Sequence, residues 1–183
     1  MGKNDSSKRD ELMEHVIVPM ITPADPSVIA YSRVTGAMNG ILTNVFALYL
    51  KTKYCQSNMR ALHCRHYELV LGDQACQLYA MVNPIGERAR KIGDSIWHSI
   101  GNIAPVQRIV DDDSAEYLDP LDMLAQLFED NENLADRLRE AHHMVDELRD
   151  IATAGLMDKW IDETERRSWF LREVVGHAIV TIH

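Results

Sequence analysis

With 183 residues, 46% of them hydrophobic and 26% charged, the chain can bury one sizeable core and is too apolar to remain disordered. Its formal charge of −9 argues against a general nucleic-acid binder, which needs clustered Lys and Arg, and suits a soluble protein or one that attracts metal cations. No apolar run is long enough to span a bilayer, since the longest, residues 37–50, is broken by Asn39, Thr43 and Asn44.

Residues 1–25 read as a polar N-terminal tail without the apolar centre of a secretory signal. The three cysteines, Cys55, Cys64 and Cys76, form an odd set without paired spacing. They read as buried free thiols of a reducing compartment, and a cytoplasmic location is expected.

Residues 26–183 read as one domain. Asp25-Pro26 is an N-cap followed by proline at the first helical position. From there Val34, Met38, Ile41, Val45, Leu48, Thr52 and Cys55 recur at spacings of three and four, the apolar stripe of a bundle helix. Leu71, Ala75, Leu78, Val82, Ile85, Ala89 and Ile92 repeat the pattern in a second helix, which Gly93 closes.

Residues 94–118 form a long connection in which Trp97, Ile100, Ile103 and Ile109 could make a short docked helix. Asp119-Pro120 repeats the cap-then-proline signal, and Asp122 supports it from the first turn. The third stripe is Leu124, Leu127, Asn131, Leu134, Leu138, Ala141, Val145 and Leu148. The fourth, through Leu156, Trp160, Thr164, Arg167, Leu171, Val174 and Ala178, is less clean, which places part of that face against another subunit or a pore. The apolar residues 174–183 are expected to pack on a neighbouring subunit. The fold class is all-α: a four-helix bundle with one long crossover, or a simple up-down bundle with one long loop.

Three stretches resemble the Dps family of mini-ferritins, within the ferritin-like superfamily. The first is Met38-Asn39 followed by Thr52-Lys53-Tyr54-Cys55-Gln56-Ser57-Asn58-Met59-Arg60-Ala61, similar to the family's Leu-Asn start and its Thr-Lys…His-Trp-Asn motif. The second is Gly86-Glu87-Arg88-Ala89-Arg90-Lys91-Ile92-Gly93, whose Glu87 follows Gln56 by 31 residues, the family's own spacing. The third is residues 150–170, where Thr153-Ala154-Gly155-Leu156 and Glu163-Thr164-Glu165 resemble the closing helix.

The resemblance implies a ferritin-like bundle that assembles with copies of itself into a hollow dodecamer. It also implies oxidation of Fe(II) by peroxide or oxygen and storage of the iron in stress protection. The family's ferroxidase site is shared between two subunits.

At that site the sequence departs from the family pattern. The first-helix His falls on Gln56, the second-helix His on Glu68, the carboxylate four residues later on Gly72 and the partner Asp on Asn83, while Glu87 is kept. Iron ions prefer carboxylates and imidazoles, and an amide oxygen is a poor replacement. Glu68 and Glu87 could hold one ion, iron or another divalent metal, with Gln56 and Asn83 as weak ligands. A full two-iron site is not expected. Pro84 beside Asn83 removes a helical hydrogen bond and adds a kink.

Elsewhere, Cys64 shares a face with Glu68, while His63 and His66 point away from it. Glu140-x-x-His143 has the spacing of a di-iron bundle motif without its second copy. Glu163 and Glu165 fall where the family lines the pore through which iron enters, and Gly155 where a further pore Asp is common. The N-terminal tail is not net basic, so DNA is a disfavoured partner. The expected function is an iron-binding and iron-storing cage subunit, with ferroxidase activity in question. The alternative is a non-catalytic cage or scaffold that buffers metal or shares a mixed shell with an intact homologue.

Overall fold

The computed structural model describes residues 26–59, 65–92 and 119–181, and these form four long helices. They are α1 (Pro26–Asn58), α2 (Arg65–Ile92), α3 (Pro120–Glu147) and α4 (Ile151–Thr181). The tail, the expected short helix of the connection, His63, Cys64 and Gly93 lie outside the described residues.

The periodic stripes become the core. All seven stripe residues of α1 are buried, as are Leu71, Ala75, Leu78, Ile85 and Ala89 of α2 and seven of the eight of α3, all but half-buried Leu148. Leu48, Leu78, Leu127 and Leu138 are fully enclosed. Each such leucine stabilises the fold by about 1.5–3 kcal/mol relative to an exposed one. The cap at Asp119 forms as expected: its Oδ1 accepts from the Leu121 amide at 2.9 Å, with Pro120 opening the helix.

Side-chain contacts give the helix directions. Tyr49 meets Tyr79 with ring centroids 5.5 Å apart, and Gln56 meets Gly72, so α1 and α2 run antiparallel. Lys51 pairs with Asp130 near one end of the α1–α3 contact, whereas Gly40 and Glu140 line the same cleft further along, so these two are antiparallel as well. Asn131 with Arg167 and His142 with Asp158 set α3 against α4. Arg88, near the end of α2, bonds Asp150 and Thr153 at the start of α4.

It follows that α2 and α3 point the same way. The end of α2 and the start of α3 therefore stand at opposite ends of the bundle, about 42 Å apart for a helix of 28 residues. This is the bundle with one long crossover, not the simple up-down alternative.

A sharp turn joins α3 to α4. Arg149 takes a left-handed conformation (φ 58°), and Asp150 caps α4 by accepting from the Thr153 amide at 3.2 Å.

Two expectations from the sequence are corrected. The polar breaks in the fourth stripe do not face a neighbour. Thr164 and Arg167 are buried in their own bundle, where Arg167 Nε donates to Asn131 Oδ1 (3.0 Å) and Nη2 to Thr164 Oγ1 (2.8 Å). Burial, only partly offset by nearby Glu163, brings the guanidinium pKa down to about 10. Val174 and Val175 are half-buried against their own core, and the side chains of residues 177–183 lie outside the described residues. Nor are the cysteines all buried: Cys55 is, but Cys76, one position past the α2 stripe, is exposed.

Candidate metal centre

Gln56 stands in the last turn of α1 and Gly72 in the second turn of α2, and the antiparallel packing brings them together. A Cβ at position 72 would lie 2.7 Å from Gln56 Nε2, closer than real contacts allow. The carboxamide therefore occupies the space that a side chain at 72 would need. Its Oε1 accepts from Lys53 Nζ at 2.6 Å. Half-buried Glu68 stands one turn before Gly72 on the same face of α2. The structure thus gathers Gln56, Glu68 and Gly72 at one end of the α1–α2 pair.

Asn83 and Glu87 are at the other end. Both are exposed and share a face of α2, which continues as a helix through Pro84. Along that helix Glu87 stands about 28 Å from Glu68, so one chain cannot bring both carboxylates to one ion. Among the described residues, no three His, Cys, Asp or Glu side chains gather as a metal site.

The donor set fits iron poorly. Two of the three positions at the Gln56 end offer an amide and no side chain, and the amide oxygen already binds an ammonium. A cation there would meet Lys53 before it met a second carboxylate.

The other candidates are placed as follows. Glu140 and His143 are both exposed on α3, and Glu140 lines a cleft between α1 and α3 with Gly40, Asn44 and Arg137. The α1–α3 contact holds the ion pair of Lys51 and Asp130. Glu163 and Glu165, two positions apart on α4, point in different directions. Glu163 is half-buried, 3.7 Å from Lys159, and Glu165 bonds Arg139 of α3 at 2.6 Å. His66 is exposed at the start of α2.

Two participants are not evident from the sequence. Lys53 belongs to the motif that carries the resemblance, but its contact with Gln56 depends on the amide being where an imidazole is expected. Asp130 lies just off the apolar stripe of α3, and only the packing of α1 shows that it is buried.

The sequence matches the family model of the ferritin-like domain over residues 35–178, and the chain belongs to that family. Its backbone is that of Dps proteins. It is similar to Dps from Thermosynechococcus elongatus (TM-score 0.76, 18% identity, covering 81% of this chain and 94% of that one). It is also similar to DpsC from Streptomyces coelicolor (0.77, 18%, 85% and 90%) and an archaeal Dps homologue from Halobacterium salinarum (0.76, 22%, 81% and 82%). At these identities the likeness establishes the fold alone. No curated protein matches the sequence. Among the described residues, no helix is long and apolar enough to cross a membrane.

Proposed function

We propose that this chain is a Dps-like cage subunit that binds and stores iron without a fast ferroxidase centre at the family's positions. The observation that carries this reading is the separation of Glu68 from Glu87 on one helix. Only a second, two-fold-related copy can bring a Glu87 to the Gln56 end of the first. Self-assembly is therefore part of the function, and iron is the substrate and cargo.

The exposed face of α1 and α2 supports assembly. Leu50 and Tyr54 of α1 and Leu69 and Tyr79 of α2 are each more than half exposed, and a second copy would cover them. The chemistry of the position supports slow oxidation. One Glu from each of two copies, with amide oxygens, holds a divalent ion weakly and leaves no second site for a two-electron oxidant. The protein acts in the cytoplasm, in protection against iron-driven oxidative stress, and its net charge of −9 disfavours DNA as a partner.

A second reading is a non-catalytic shell component that co-assembles with an intact homologue, and the Lys53–Gln56 contact favours it. Native mass spectrometry of the purified protein, followed by iron loading and a count of retained iron per shell, separates the two. The first reading predicts a homomeric cage that keeps iron through gel filtration. A monomer or dimer would contradict the first reading, and a homomeric cage that retains no iron would leave the second.

A further inference from the structure

The metal position of this chain is filled by its own side chain, and two residues act together to fill it. Gln56 reaches across from α1 to lie over α2 at Gly72, and the close approach depends on the missing Cβ there. Lys53 fixes the orientation by donating to Oε1, which leaves the amide Nε2 turned toward the glycine. The glycine has no conformational reason to be there. It lies inside a regular helix, without a positive φ, where glycine costs about 1 kcal/mol relative to alanine. Its structural consequence is the space that the carboxamide takes.

We propose that Gln56 and Gly72 are one coupled unit that closes the metal position, so that a metal ligand placed at either one binds more tightly when the other is changed with it. This rests on the proposed function for the identity of the metal, but the coupling between the two side chains does not. A carboxylate introduced at 72 must push aside the flexible end of Gln56, and an imidazole introduced at 56 finds Glu68 nearby but no side chain at 72. Changed together, the two positions present an imidazole and a carboxylate on facing helices, one turn from Glu68. That is a donor set suited to a divalent transition metal.

The test uses the assembled full-length protein and Co(II) as the probe, titrated by absorption and calorimetry. The variants are Gln56→His, Gly72→Asp and the pair. The pair is expected to bind Co(II) at least about tenfold more tightly than the product of the two single gains, the size of coupling seen between touching residues. Gains that simply multiply, or a Gly72→Asp variant that binds as tightly as the pair, would overturn the proposal. Should Gly72→Asp fail to assemble, adding Gln56→Ala is expected to restore assembly by removing the clashing amide. Failure of that rescue would also overturn it. Native mass of each variant reports the cage separately, so wild-type protein that does not assemble counts against the proposed function and not against the coupling.

Discussion

Lys51 of α1 and Asp130 of α3 meet at 2.7 Å with their side chains only 12% and 7% exposed. A buried pair of this kind returns little net stability, because two charges leave water, but removing one partner takes from the other its opposite charge at 2.7 Å. Lys51→Met is therefore expected to cost about 3–5 kcal/mol. The double variant Lys51→Met/Asp130→Leu, which removes both charges of the pair, is expected to cost less than the single one. Chemical denaturation of the three proteins measures this. A double variant less stable than Lys51→Met would show that the pair itself holds the bundle.

Asp150 supplies a pH-dependent part of the stability. Burial pushes its carboxyl up, but hydrogen bonds from the Thr153 hydroxyl and amide and the charge and hydrogen bond of Arg88 outweigh this and hold it below the ordinary 3.8. A carboxyl depressed on folding stabilises above its unfolded pKa and loses that effect as pH falls through the folded one. Asp150→Asn is expected to lower stability by about 1–3 kcal/mol at neutral pH, the worth of hydrogen bonds to a charged group. The gap to the parent protein should narrow below about pH 4. A gap that stays constant down to about pH 3 would mean that the cap acts through its shape alone.

The sulfur chemistry divides between two described thiols. Burial, with the charge of Asp130 adding to it and Lys51 opposing it, pushes the Cys55 pKa up to about 11. The thiolate is the reactive form. In the folded protein at neutral pH, Cys55 should remain unmodified by iodoacetamide after peptide mapping, and should react on unfolding. Modification of Cys55 at the rate of an exposed thiol would contradict its burial.

Pro84 sits inside α2 without disrupting the helix, and its missing N–H leaves the Ala80 carbonyl without its helical donor. Pro84→Ala is expected to raise stability, by up to about 3 kcal/mol, with assembly unchanged. Loss of assembly in this variant would show that the proline aims Asn83 and Glu87 at a neighbouring copy.

Much of the architecture is legible in the amino-acid sequence. The stripes through Leu48, Leu78 and Leu138 are a long helical period, and the Asp119-Pro120 cap is a local signal, so both carry through unchanged. The direction of the crossover is not legible, because it depends on which helices touch, and Lys51, Asp130, Arg88 and Asp150 reveal that only in the fold. Arg167 misleads for a related reason. A charged residue in a stripe reads as exposed unless its partners, Asn131 and Thr164, are known to stand opposite it. At the candidate site, the resemblance locates Gln56, Glu68, Gly72, Asn83 and Glu87. What it does not convey is that the Gln56 amide lies over Gly72 with Lys53 on its oxygen, since that contact exists only after both substitutions.

The rate of Fe(II) oxidation by the assembled protein, with peroxide and with oxygen, beside a Glu87→Ala variant, tests the proposed function most directly. Oxidation little faster than in buffer, and little changed by the substitution, is the predicted result. Rapid oxidation that is lost in Glu87→Ala would contradict the proposal and show that the altered site is a working ferroxidase centre.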